Sequence, residues 1–274
     1  MTVPVVLSIA GSDPSGGAGI QADLKTFSAL GAYGTAVITA LTAQNTIGVT
    51  GVHVVPAAFV AQQLETLVTD VQVHAIKVGM LANTEIVAVV AGFLDRQRCE
   101  IVVLDPVMVA TSGDRLLSDD AVEAMRALLR TASVITPNLA EAAVLLDCPV
   151  AATVADMHDQ ADALLALGPA RVLLKGGHLA GEHLQSPAEM VDLFVGPEGA
   201  HELHGPRIST SNTHGTGCSL SSALAALRPQ RDDWLTTARD SKAWLTAALE
   251  AADTLRVGHG HGPVHHFYEM WKKT

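Results

Sequence analysis

Short β-branched runs recur along the chain at Val5–Ile9, Ala75–Val78, Ile101–Leu104, Ser133–Ile135 and Val172–Leu174. Between them lie longer stretches in which apolar residues return at helical spacing, as Val60, Leu64, Leu67, Val68 and Val71 do. Repeated strand, helix, strand is the pattern of a parallel sheet. Strands of such a sheet are buried on both faces, so they read as unbroken apolar runs, as IVVL and VLLK do here.

Polar and glycine signals follow each run immediately: Gly11, Gly79-Met80, Asp105-Pro106, Thr136-Pro137-Asn138 and Lys175-Gly176-Gly177. In open parallel sheets the carboxyl ends of the strands line the ligand crevice, so five segments are expected to converge on one site. Glycine and proline also punctuate strand ends without any function, and the convergence is what favours a site. The stretch Gly34–Val55 is expected to supply strands that cover the crevice as a lid. With no linker of low complexity and no internal repeat, residues 1–274 read as a single domain.

The 274 residues are 49% hydrophobic, enough for a sizeable buried core. Seventeen basic against 28 acidic residues give a net charge of -11, which repels phosphate backbones and anionic lipid at long range and disfavours nucleic acid and membrane as partners. Phosphates of a small molecule can still be held locally, by backbone N–H groups and a metal ion. The segment Met1-Thr2-Val3-Pro4 carries no basic targeting pattern, and the apolar run Ile86 to Leu94 is far shorter than a span of about 20 residues, so a cytoplasmic location is expected. Cys99, Cys148 and Cys218 are too widely spaced for a disulfide framework or zinc knuckle, in keeping with a reducing compartment.

The sharpest chemical signal is Asn212-Thr213-His214-Gly215-Thr216-Gly217-Cys218-Ser219, running into the alanine-rich helix Leu220–Leu227. Glycines permit a tight turn, and the helix start presents unpaired N–H groups toward one point. Gly215, Thr216 and Gly217 thus form an anion hole suited to the charge of a transferring phosphoryl group. Cys218 falls in the first helical turn, where the helix dipole is expected to lower its thiol pKa and make a thiolate base. The alternative is a small apolar residue packing a helix against the sheet.

The loop Gly11-Ser12-Asp13-Pro14-Ser15-Gly16-Gly17-Ala18-Gly19 opens a helix with Ile20, Leu24 and Phe27 on its apolar face. It has Walker spacing from Gly11 to Gly16, but Gly17 stands where the P-loop requires lysine. The run from Gly17 to Ala22 matches a dinucleotide fingerprint, yet it is detached from the strand and Gln44 stands where an acidic ribose partner is wanted.

Taken in order, AGSDPSGGAGIQADLKT at 10–26, TALTAQNT at 39–46, KVGM at 77–80, DPVM at 105–108, TPN at 136–138, KGGH at 175–178 and HGTGC at 214–218 cover nearly the whole chain. Together they resemble the hydroxymethylpyrimidine and phosphomethylpyrimidine kinases of the ribokinase-like superfamily. The resemblance implies an α/β three-layer sandwich with a central, mostly parallel sheet and a small lid of strands. It implies ATP as phosphoryl donor with Mg²⁺, in thiamine biosynthesis. The pyrimidine would stack under the lid with Gln44 reading its ring nitrogen and amino group, and with Gly11, Asp23, Met80 and Val107 around it. A glutamine amide offers the donor and acceptor that a 4-aminopyrimidine edge demands, although Gln44-Asn45-Thr46 reads equally as a turn.

Asn138-Leu139-Ala140-Glu141 resembles the superfamily's Asn-x-x-Glu element, in which the glutamate helps hold Mg²⁺. Asp105 would lie close by. The plainer reading of Glu141 is a favourable charge in the first turn of a helix. Lys175 and Thr213 would lie toward the nucleotide, and Lys242 would border the adenine. Most sugar kinases of the superfamily carry aspartate where Cys218 stands, so the cysteine points to the pyrimidine branch and its pyridoxal-phosphorylating relatives. The tail Val257–His266 reads as structural packing in preference to a metal tract. Lid strands with exposed edges and the family resemblance imply a homodimer.

Overall fold

The five apolar runs all become neighbouring strands in the computed structural model, which describes residues 2–97, 99–108, 119–177, 179 and 189–271. Met1 of the N-terminal segment and His178 of KGGH lie outside these. The strands are β1 (Val5–Ala10), β5 (Ala75–Val78), β6 (Val102–Leu104), β7 (Val134–Ile135) and β8 (Val172–Leu174). They pair in parallel, β1 with β5, β5 with β6, β6 with β7 and β7 with β8. Among the described residues the full sheet has eight strands in the order 10-9-8-7-6-5-1-2.

Period-two alternation divides each strand between two cores. Leu7, Ile9, Ile76, Val78, Leu104 and Leu174 face one side. There they meet α2 (Ala57–Val68), α3 (Thr84–Gln97), α4 (Asp119–Leu129), α5 (Leu139–Leu146) and α6 (Val154–Ala166). Val6, Ala75, Val103, Val134 and Leu173 face the other, where they meet α1 (Gly19–Ala29), α7 (Thr216–Leu227) and α8 (Trp234–Glu250). The result is three layers, helix on sheet on helix, with both strand faces dry. In α2 the expected stripe buries Val60 and Leu64, but the helix ends at Val68, leaving Val71 in the turn that follows.

Two features depart from the pattern. The stretch expected as lid is divided: β2 (Tyr33–Ile38) joins the main sheet in parallel beside β1, and only β3 (Ala40–Gln44) and β4 (Val49–Val54) form the separate antiparallel lid. The main sheet also ends in an antiparallel pair, β9 (Glu189–Gly196) and β10 (Gly199–Pro206). No described helix is long and apolar enough to cross a membrane.

Candidate active site

At the start of α7, Gly215 occupies the N-cap with φ +75, and a Cβ there would lie 1.8 Å from the Gly17 carbonyl oxygen. Only glycine admits both the left-handed backbone and the contact between the two loops. The helix ladder begins with Ser219 N–H donating to Gly215 O at 2.8 Å, while Thr216 N–H and its hydroxyl turn back to Thr213 O. The N–H groups of Gly217 and Cys218 come before that ladder, at the open positive end of the helix dipole. Of the three residues expected to form an anion hole, Thr216 has its donors turned inward to Thr213, and the open N–H groups at this helix start are those of Gly217 and Cys218.

Beside it gather the carboxyl ends of β6, β7 and β8. Lys175 Nζ lies 3.2 Å from Asp105 Oδ1 and 3.9 Å from Glu141 Oε2. A Cβ on Gly217 would stand 3.2 Å from the same Nζ, so the ammonium and the anion hole face one space. Burial works against the charge of Lys175, yet Asp105 and Glu141 outweigh it and hold its pKa above the ordinary lysine value. Burial pushes Glu141 up to about 7, with Lys175 opposing and Asp105 adding to the rise. Glu141 also completes a capping box: it accepts Asn138 N–H at 2.8 Å while Asn138 Oδ1 accepts Glu141 N–H at 2.9 Å. Both sequence readings of Glu141 are thus compatible.

Across the crevice, β1 delivers the loop Gly11–Gly19. Asp13 organises it, accepting from Ser15, Gly17 N–H and Ala18 N–H. Burial raises the Asp13 carboxyl, but the hydrogen bonds from His214, Ser15 and Ala18 prevail and hold it below the usual range. His214 Nε2 lies 2.8 Å from Asp13 Oδ2, joining this loop to the anion hole. Gln44, half-buried at the bulged end of β3, brings its amide nitrogen within 3.4 Å of His214 Nε2. Gly11 packs against buried Met80, and Val107 is half-buried beside Asp105.

Residues 13–265 match the phosphomethylpyrimidine kinase family. The hydroxymethylpyrimidine/phosphomethylpyrimidine kinase of Escherichia coli is 57% identical over 97% of this chain and 98% of its own. The chain belongs to the phosphomethylpyrimidine kinase family. Among solved structures, phosphomethylpyrimidine kinase of Clostridium difficile superposes with a TM-score of 0.78 at 38% identity, covering 90% of this chain and 99% of that one. Bacillus subtilis pyridoxal kinase, solved as an ADP complex, gives 0.88 at 32% identity, covering 99% and 100%.

Set on this family's fold, two expected site residues are held by partners of their own, and one expectation needs correction. Asp23, which the resemblance places around the pyrimidine, is fully buried, its two oxygens each 2.9 Å from Lys77 Nζ and bonded by Ser8 and Ser222. A carboxylate taken out of water requires such partners. Lys242, expected to border the adenine, has its Nζ buried 2.8 Å from Asp192, which also accepts Gly176 N–H, so it braces the loop after β8. The thiol of Cys218 is not lowered. Burial pushes it up to about 11, with Lys77 opposing and Asp23 and Asp105 adding to the rise.

Asp13, His214, Thr42 and Lys77 were overlooked as site residues, although each stands inside a motif quoted from the sequence. Asp13 and Thr42 have partners within five positions, but the contacts that join the elements span long separations, 201 positions for His214 and Asp13 and 54 for Lys77 and Asp23, and no local spacing announces those. Thr213 is half-buried and supports Thr216 through its carbonyl. The tail packs as expected: His261 N–H donates to Thr46 O at 2.8 Å and His214 N–H to Gly262 O at 3.0 Å, clasping lid and anion hole together.

Proposed function

We propose that this protein transfers the γ-phosphoryl group of ATP to the hydroxymethyl oxygen of 4-amino-5-hydroxymethyl-2-methylpyrimidine, and then phosphorylates the monophosphate to the diphosphate for thiamine biosynthesis. The observation that carries the reading is one crevice with the Gln44 amide on its lid side and the open N–H groups of Gly217 and Cys218 on its floor. In each step an acceptor oxygen bonds to the γ-phosphorus, the bond to the bridging oxygen of ADP breaks, and any acceptor proton leaves. Gly215 and Thr216 shape the turn, and the open N–H groups of Gly217 and Cys218 are the donors offered where charge spreads over the equatorial oxygens, so they favour the transition state over the ground state.

Asn138, Lys175 and Thr213 stand on the side of the crevice suited to the nucleotide phosphates, with Lys175 as the cation. Asp105 and Glu141 are two hard carboxylates beside that cation, a donor set that suits Mg²⁺, which keeps most of its water. When bound, Mg²⁺ would neutralise phosphate charge. Cys218 is the candidate to receive the hydroxyl proton. Leu41, Val52 and Val54 are exposed on the lid, which supports pairing of two copies through this hairpin. The charge balance and the unpaired cysteines support a cytoplasmic setting.

A second reading, pyridoxal phosphorylation, draws on the close superposition with the Bacillus subtilis enzyme. Purified protein with Mg-ATP, offered hydroxymethylpyrimidine, its monophosphate and pyridoxal in parallel, decides between them. The pyrimidine and its monophosphate are expected to show the higher kcat/KM; a preference for pyridoxal would reverse the assignment.

A further inference from the structure

Hydrogen balance around Gln44 assigns two residues a part in substrate choice. Thr42 Oγ1 lies 2.8 Å from the Ser12 carbonyl oxygen and 3.1 Å from the Gln44 side chain, at the atom placed as Oε1. A threonine hydroxyl has one hydrogen, and the Ser12 carbonyl can only accept. The hydrogen therefore goes to Ser12, and the hydroxyl is left with lone pairs for Gln44. A carbonyl oxygen there would face an acceptor.

The other end of the amide meets the converse conflict. His214 Nε2 is 2.8 Å from Asp13 Oδ2, and Asp13 already accepts from Ser15, Gly17 and Ala18 as a carboxylate does. Nε2 must then carry the hydrogen, and the Gln44 atom 3.4 Å away, placed as Nε2, would set donor against donor. One half-turn of the amide removes both conflicts, and hydrogen bonding is what distinguishes the two ends of a glutamine amide. The His214 ring cannot retreat, because Gly17 packs on it so closely that a Cβ would lie 2.3 Å from Cδ2.

We infer that Thr42 and His214 are positioning residues for Gln44: its NH₂ donates to Thr42, its carbonyl is the second and longer acceptor, at 3.4 Å, of the single Nε2–H that His214 gives to Asp13 at 2.8 Å, and the crevice is offered one fixed N–H and one fixed lone pair. The inference rests on the reading of Gln44 as the reader of the pyrimidine edge. A free amide could flip to suit either polarity of ring edge, whereas a fixed one accepts only the complementary arrangement. Thr42 thereby sets specificity without touching the ligand.

Two measurements test this. In ¹⁵N spectra of the wild-type protein, His214 Nε2 is expected to be protonated; an unprotonated Nε2 would let Gln44 donate to it and overturn the inference without any mutation. In kinetics, Thr42→Val is expected to raise KM for hydroxymethylpyrimidine about tenfold, the scale of one lost hydrogen bond, with KM for ATP unchanged and kcat within about twofold. Thr42→Ser should restore the wild-type KM. Gln44→Leu serves as the control for the underlying reading. If Gln44→Leu weakens pyrimidine binding and Thr42→Val does not, the positioning role fails and the reading of Gln44 stands. If Gln44→Leu has no effect either, that reading falls and the inference with it.

Discussion

Cys218 stands where the helix dipole and the burial of a thiol pull in opposite directions. The dipole favours thiolate by virtue of the first-turn position, and a Gly19 N–H adds a hydrogen bond to the sulfur. Desolvation is the larger influence, and Asp23 and Asp105 add like charge that Lys77 only partly offsets, leaving the thiol at about 11. A base held that high is almost wholly protonated near neutrality, and its thiolate fraction grows tenfold per pH unit up to the pKa. With Cys218 as base, wild-type kcat/KM is expected to climb with pH without a plateau below about pH 9, and Cys218→Ser to lose about 10²-fold together with that climb. A plateau beginning near pH 7, or full activity in the serine variant, would remove Cys218 from proton transfer. The sequence showed the helix start because glycines and a first turn are local. It could not show the sign of the shift, because the burial that decides it arises only in the fold, as does the nearness of Lys77 and Asp23, which sit 54 residues apart on other elements.

Among the elements, those buried on both faces were the most legible. An unbroken apolar run such as Val102–Leu104 can only be satisfied between two helical layers. The lid was harder to read, because Thr35–Ile38 and Ala40–Gln44 are both half-buried runs, and nothing in their composition says which sheet each joins. The antiparallel β9 escaped notice because Asp192 interrupts its apolar face, a charge made acceptable by Lys242 on α8 and by the Gly176 N–H. Helix α5 illustrates how one side chain serves both element and site. Glu141 caps the helix and stands beside Lys175, so substitutions can separate the two tasks. Glu141→Gln keeps an oxygen for Asn138 N–H and should melt near wild type, yet need more Mg²⁺ for half-maximal rate. Glu141→Ala should show the same Mg²⁺ shift and also lose about 1 kcal/mol of stability with the cap. Equal magnesium titrations in all three proteins would leave Glu141 with the helical role alone.

At the scale of the whole molecule, the C-terminal segment closes the structure by passing over both the lid and α7. Gly258 and Gly260 press against Thr46 so closely that a Cβ on either would lie 2.1 Å from it. Farther on, His266 is buried with its Nε2 3.0 Å from Ser219 Oγ, within α7, and its ring near Trp244 of α8. Burial pushes this histidine down to about 3, with Lys25 and His265 adding to the shift, so it is neutral in the fold. An unfolded chain takes up that proton near pH 6.5, and the native state does not until about pH 3. Between those values the unfolded state binds more protons, and stability must fall as pH falls, by at most about 1.4 kcal/mol per pH unit from this one group. Glu141, raised to about 7, acts with the opposite sign between its ordinary value of 4.5 and 7, because there the native state holds the extra proton. The net slope of the wild type mixes the two, so the informative quantity is a difference. His266→Gln keeps a partner for Ser219 and cannot titrate. Urea unfolding of both proteins at pH 7 and pH 5 should show the wild type losing ground to the variant on acidification, while Glu141 cancels from the comparison. A stability difference that stays constant between the two pH values would mean that His266 gains its proton in the folded state as readily as in the unfolded one, and that the tail is not sealed against α7.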